Sequence, residues 1–345
     1  MRASAVLPGR NGQISAAAHV ESLFFIGIFF GGMLAVNQST ENETQRSAEF
    51  TRLSEVERKL DLLIDLTSKI LTMSNETRAL VGPFGVPMPD GSVLVQTLWG
   101  HKVLVDANDM IMAPQLIVYR QWESDLSKLM YEFVTPNTVF IDVGANIGYF
   151  TCLLASKIGG SGTGRVVAIE PNPRCVTLLR KNISINWAIQ HDRVRVEAIA
   201  VSDREGIAHL TVPTSGAANA QISTKGASNE TVPVVMKPLD EILADVPAAD
   251  LMKIDVEGFE KFALSGARDF ISRSEDIIII MEWSIGQMED CHSRPSEVID
   301  LIGELGLTVF HLPASLNKAL HGFVQYDLEA LKRTGYDNIV LARAK

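Results

Sequence analysis

The sequence predicts an α/β protein built on a doubly wound sheet. Three observations predict it. From residue 138 onward, short apolar runs rich in β-branched residues alternate with longer stretches of helical character, the order produced by strands joined through crossover helices. TVFIDV (138–143) and DIIIIMEW (276–283) carry apolar, β-branched stretches, as parallel strands buried on both faces do, and LMKID (251–255) reads as a further parallel strand. A glycine-rich turn, Gly144 to Gly148, follows the first of these runs and opens a helix, where an open parallel sheet binds its ligand.

From the N-terminus, the 345 residues divide into three parts. Residues 1–45 hold an uncharged run, LFFIGIFFGGMLAV (23–36), and a polar linker. The run is shorter than the roughly 20 residues of a bilayer span. Two main readings stand: a membrane anchor, or a signal peptide behind Arg2 and Arg10 that lacks a clean A-x-A site. An incidental stretch is the third. Residues 46–80 read as a helical stalk. Leu53, Val56, Leu60, Leu63, Thr67 and Ile70 step by 3, 4, 3, 4 and 3, the a/d seam of a short coiled coil. That seam predicts a homo-oligomer through residues 50–71, with an amphipathic helix docked on the body as the alternative. An anchor followed by a stalk is the simplest joint reading.

Residues 81–345 form the body. SVLVQTLW and KVLVDA read as a hairpin, and Glu123 to Phe133 as a helix ending before Pro136. Strand one (138–143), a helix from Gly148, strand two (RVVAIE, 165–170), a helix from Pro173 and strand three (RVRVEAIAV, 193–201) follow. IAHLTV and TVPVVM make a strand pair around a loop at 214–230. LMKID is strand four, Phe259 to Ala267 a helix, and DIIIIMEW strand five. A helix near 295–304, a strand at 306–311 and a closing strand at 337–343 complete the chain.

Composition narrows the function. A balance of 31 basic against 41 acidic residues, net −10, is wrong for gripping a phosphate backbone, so no nucleic-acid partner is expected. Cys152, Cys175 and Cys291 form no CxxC, and the histidines show no ligand spacing, so no metal site is expected. Five N-x-S/T tripeptides occur, at Asn37, Asn42, Asn75, Asn182 and Asn229.

The strand ends carry the chemistry. Asp142 sits at the Gly-rich turn with Gly144, Asn146 and Gly148. A carboxylate there repels a pyrophosphate and suits a ligand bearing an ammonium and a sulfonium. Glu170 ends strand two, 22 residues after Gly148, where an acid accepts from a ribose diol. Asp203 follows strand three and could accept from an adenine amino group, or simply close a turn. Lys253, Asp255 and Glu257 share one side of strand four by two-residue alternation. A buried lysine is costly unless paired, so the three read as an acid/base cluster or a structural ion pair. Glu282 places a further acid at the end of strand five.

FIDVGANIGYFT (140–151), VVAIEPNP (166–173), AVSD (200–203), LDEIL (239–243) and KIDVEGFE (253–260), in this order, resemble the FkbM family of S-adenosylmethionine-dependent methyltransferases. The likeness spans about residues 90–345. It implies a class I methyltransferase (Rossmann-like) sheet with its last strand antiparallel, and S-adenosyl-L-methionine as cofactor. It implies methyl transfer to a hydroxyl, commonly on a sugar or a lipid- or polyketide-borne group, so the expected partner is a hydroxyl-bearing, carbohydrate-linked substrate. By position, Asp142, Gly144, Asn146 and Gly148 would hold the methionine part, Glu170 the ribose and Asp203 the adenine, with Lys253, Asp255 and Glu257 facing the reaction. An NAD-dependent oxidoreductase would want a third glycine in G-x-G-x-x-G and no acid at 142. A membrane-tethered scaffold would have no reason to keep Lys253 buried. The expected location is membrane-associated, with the body facing the cytoplasm where the cofactor is made.

Overall fold

The computed structural model describes residues 43–81, 85–211, 221–222 and 231–344. Two units divide the chain, Met1–Val81 and Gly82–Lys345. In the first, α1 (Glu43–Val81) is one continuous helix. Its seam residues Leu53, Val56, Leu60, Leu63 and Ile70 are exposed. Ion pairs Lys59–Glu55 and Lys69–Asp65, each one helical turn apart, brace its surface. The apolar run 23–36, on which the anchor and signal-peptide readings rest, lies outside the described residues. Among the described residues no helix is long and apolar enough to cross a membrane.

The second unit opens with β1 (Val86–Pro87), β2 (Ser92–Gln96) and β3 (Lys102–Asp106), an antiparallel sheet containing the expected hairpin. Helices α2 (Met112–Tyr119) and α3 (Ser124–Phe133) lead into β4 (Val139–Val143). Then come α4 (Tyr149–Ala155), β5 (Arg165–Ile169), α5 (Pro173–Ile185) and β6 (Val194–Glu197). Asn172 caps α5 by accepting from Arg174 N, and Pro173 supplies the preset first turn. A smaller sheet holds β7 (Ala200–Val201), β8 (Gly206–Thr211), β9 (Gln221–Ile222) and β10 (Thr231–Lys237). After α6 (Leu239–Ile242) come β11 (Leu251–Ile254), α7 (Glu260–Ser265), α8 (Arg268–Arg273), β12 (Ile278–Ser284), α9 (Ile285–Asp290) and α10 (Pro295–Glu304). β13 (Thr308–His311), α11 (Leu328–Leu331) and β14 (Tyr336–Ala342) close the chain.

The main sheet runs β13-β14-β12-β11-β4-β5-β6. β12, β11, β4, β5 and β6 are parallel, and the closing β14 is antiparallel to both neighbours. Alternation sorts each strand between two cores. Phe140, Val166, Leu251, Ile280 and Val340 pack into one, and Ile141, Val167, Met252, Ile279 and Leu341 into the other. Such a sheet, covered on both faces, is the expected α/β architecture.

One strand differs from expectation. The run 193–201 is not one strand: β6 ends at Glu197, and β7 leaves the sheet to run parallel to Met236 and Lys237 of β10. The cause is the edge position of β6, which offers no further partner, whereas β10 satisfies the next backbone groups, including Ser202 N on Lys237 O at 3.0 Å.

Two buried asparagines fasten the hairpin. Asn182 Oδ1 accepts from Leu104 N at 2.6 Å, and its Nδ2 donates to Leu104 O at 3.1 Å and Ile147 O at 2.8 Å. Asn186 bonds Lys102 N and O in the same way, each at 2.7 Å. The tripeptide at Asn182 is thus a structural clamp, with its side chain fully buried.

Gly144 lies where two turns touch. Its φ is +83°, and a Cβ there would stand 1.7 Å from Asp255 O. Gly144→Ala should therefore cost about 2–4 kcal/mol, from left-handed strain plus a backbone clash. Urea unfolding of the variant beside Gly303→Ala, where a Cβ meets nothing within 4 Å, checks this. Equal midpoints for the two variants would show that the turns do not depend on each other.

Candidate active site

Register brings the charges together. Across the sheet Lys253 stands opposite Asp142 on one side and Ile280 on the other. Glu282 lies two residues beyond Ile280, so alternation sends Asp142, Lys253 and Glu282 to the same face. The strands end there, and a cavity of about 240 Å³ opens beyond them.

Lys253 is the centre of the cluster. Its side chain is 5% exposed, its Nζ lies 2.6 Å from Asp255 Oδ2, and the Phe150 ring centroid is 5.0 Å away. Burial alone would lower its pKa, but the carboxylates of Asp255, Glu123 and Asp142 outweigh burial and raise it. The ammonium form is therefore held. Asp142 is buried and accepts from Thr151 Oγ1 at 2.5 Å. Burial raises its pKa, opposed by Lys253 and by that hydrogen bond.

Glu170 follows β5 directly. Its Oε2 accepts from Asn146 N at 2.8 Å and its Oε1 from Asn172 N at 2.7 Å. Two backbone donors thus fix the carboxyl at the strand end, with further lone pairs left to accept a ligand's hydroxyls. Burial pushes its pKa up to about 7, against the pull of those donors. Asn146 sits at φ 51°, a left-handed position that asparagine tolerates.

The structure places Asp142, Gly144, Asn146, Glu170, Lys253, Asp255 and Glu257 around one cavity. Three expectations change. Glu257 does not extend the alternation of Lys253 and Asp255, because β11 stops at Ile254. It reaches the cavity from a left-handed turn, φ 54°, and accepts from Gln287 Nε2. Burial, then Asp255, pushes its pKa up to about 7. Asp203 is not among the cavity's lining residues. The crossing from β6 to β7 carries it into the turn before β8, beside Ser202 Oγ at 3.2 Å. Gly148 also stays outside the lining. It starts α4 at φ +86°, where a Cβ would strike Leu179 at 2.3 Å.

Sequence reasoning left out Glu123, Gln287 and Tyr336, and gave Glu282 no role in the site. Glu123 precedes α3 at φ 41°. Gln287 lies on α9, and Tyr336 begins the antiparallel β14. Burial, then the nearby Glu282 carboxyl, raises the pKa of the Tyr336 phenol. Burial, then Asp255 and Glu257, pushes Glu282 up to about 9. Glu123, Asn146 and Glu257 are three of the non-glycine residues with positive φ, and all three line the cavity, the kind of place where backbone strain gathers. Among the described residues no group of His, Cys, Asp and Glu is placed to hold a metal ion.

Residues 142–307 match the family described as the methyltransferase FkbM domain. The chain is 26% identical over 195 residues to the hexuronic acid methyltransferase AglP of Haloferax volcanii, covering 54% of this chain and 70% of that protein. It is 27% identical over 231 residues to the 31-O-demethyl-FK506 methyltransferase FkbM of Streptomyces tacrolimicus, covering 56% and 81%. Among solved structures, methyltransferase FkbM from Methylobacillus flagellatus KT aligns at 18% identity with a TM-score of 0.38, over 62% of this chain and 47% of that one.

Stability should report the buried acids. A carboxyl whose folded pKa is raised keeps its proton after the unfolded chain has lost its own. Its stabilisation is complete below the unfolded value and is lost as pH rises toward the folded one. For Glu282 that window runs from 4.5 to about 9. Glu282→Gln removes the titration, so the melting temperature of the variant relative to wild type should climb across this window. A difference that stays flat with pH would show that Glu282 is not buried as an acid.

Proposed function

The chain is a methyltransferase carrying an FkbM domain, and we propose that it transfers a methyl group from S-adenosylmethionine to a hydroxyl of a saccharide or glycoconjugate. One observation carries this reading: a glycine turn, an acid fixed by backbone donors and a paired lysine meet in one cavity at the carboxyl ends of parallel strands. The residues suit the cofactor. Glu170, fixed by Asn146 N and Asn172 N, is available to a ribose diol. Gly144, whose Cβ would clash with Asp255 O, keeps the turn close to the site. Asp142, Gly144 and Asn146 would take the methionine end. Asp203, outside the cavity, has no part in the proposal. Oxygen as the acceptor atom is supported by the O-demethyl substrate named for one relative, and a sugar by the hexuronic acid named for the other.

S-adenosylmethionine supplies a methyl group on a sulfonium, open to in-line displacement. The chain's own contribution is alignment and proton removal. Orienting the acceptor oxygen supplies much of the rate. Lys253, held as an ammonium, cannot act as the base; it anchors Asp255 and offsets the charge of the acids around it. Glu257, poised near neutrality, takes the hydroxyl proton, a step worth about 10²–10⁴-fold.

Two substitutions test the assignment. Glu170→Ala removes two acceptor bonds to the ribose, so affinity for S-adenosylhomocysteine by isothermal titration should fall roughly 10- to 100-fold. Unchanged affinity would place the ribose elsewhere. Lys253→Met keeps the bulk and removes the cation that lowers the pKa of Glu257. A base that ionises at higher pH shifts the acidic limb of the rate profile upward, and turnover should drop while cofactor affinity holds. Wild-type turnover in a folded Lys253→Met protein would remove Lys253 from the mechanism.

A further inference from the structure

Beyond the cofactor residues, three residues that line the cavity each hold one buried oxygen with nothing to bond. Glu123 Oε2, Glu282 Oε2 and Gln287 Oε1 are buried and have no hydrogen-bond partner, and all three residues line the same cavity. They come from three separate elements: the turn before α3, the end of β12, and α9. A buried oxygen without a donor is a standing cost. Three around one space call for a ligand that brings several donors.

The ionisable groups are one-sided as well. Six carboxyl groups, those of Glu123, Asp142, Glu170, Asp255, Glu257 and Glu282, line the cavity beside the single cation Lys253. The described lining residues include no arginine and no histidine. Lys253 is already committed to Asp255 at 2.6 Å. No fork of donors is left to receive a carboxylate, phosphate or sulfate on an acceptor. Burial, then Asp255 and Glu257, raises the Glu282 pKa, and a carboxyl in its protonated form both gives and takes a hydrogen bond. That suits a hydroxyl, which does the same, better than an ammonium, which only donates.

We propose that the acceptor is an uncharged polyhydroxylated sugar ring whose hydroxyls satisfy Glu123, Glu282 and Gln287, and that the cavity rejects uronic, phosphorylated and sulfated sugars. This inference rests on the saccharide reading above. Glu123, Glu282 and Gln287 then determine which sugar is methylated, and the rejection of acidic sugars arises from repulsion rather than from size.

Matched pairs test it. Methyl glycosides of glucose, galactose and mannose are compared with those of the corresponding uronic acids, using the full chain and tritiated S-adenosylmethionine. Neutral glycosides should exceed their uronide partners in kcat/KM by roughly 100-fold, since like charges across a contact disfavour the wrong partner strongly. Glu123→Gln removes one repelling charge at constant volume, so the ratio should narrow while affinity for S-adenosylhomocysteine stays the same. If that variant does not fold, the wild-type ratio still decides. Uronides methylated as well as or better than neutral sugars would overturn the inference and leave the saccharide reading standing. A preference for the glucosamine glycoside over both would overturn it too. If the protein binds S-adenosylhomocysteine but methylates no glycoside of either kind, the saccharide reading falls and this inference with it.

Discussion

A lysine ammonium in the middle of a parallel sheet is the constraint that organises this molecule. Lys253 is almost fully enclosed, in a strand whose other residues, Leu251, Met252 and Ile254, are buried and apolar. Removing a charge from water costs several kcal/mol unless partners replace the solvent. The replacements come from the strand-four turn (Asp255), the strand opposite (Asp142) and the turn before α3 (Glu123). The register between β4 and β11 cannot slip by one residue without turning Lys253 into an apolar layer. The same pairing that places the cavity's charges therefore fixes the sheet.

The cavity also depends on how close its two main turns can come. The turn after β4 meets the turn after β11 at Gly144, where Asp255 O occupies the place a side chain would take. The peptide N–H of Asn146, in that first turn, then holds Glu170 at the end of β5. The turn after β4, the turn after β11 and the end of β5 are thus one assembly, joined through backbone atoms. The left-handed conformations of Glu123, Asn146 and Glu257 show how far the backbone bends to aim three side chains into one space.

Much of this was legible in the sequence, for identifiable reasons. Apolar runs of strand length, β-branched residues and a glycine turn fix β4, β5, β11 and β12. Spacing from that turn points to Glu170. What was not legible depends on contacts far apart in the chain. One continuous strand-like run, RVRVEAIAV (193–201), hides a strand leaving one sheet for another, and Asp203 goes with it. Two-residue alternation does not extend past Ile254, where the strand ends, so a left-handed turn and not the strand period brings Glu257 to the cavity. Glu123 and Tyr336 reach the cavity only because α3 and β14 pack where they do; no local pattern marks them.

The asparagine clamp on the hairpin has a consequence for how the protein behaves in a crowd. β3 is the last strand of its small sheet, and such a strand ordinarily presents free amide groups that a strand from another copy can pair with. Here Asn182 and Asn186 occupy the N–H and C=O groups of Leu104 and Lys102, acting as a surrogate strand made of two side chains. Edge-to-edge association at β3 is closed off by chemistry that α5 supplies, so protection arrives only once α5 has docked. During folding, an interval in which the hairpin has formed and α5 has not is when this chain is most open to sticking to its neighbours.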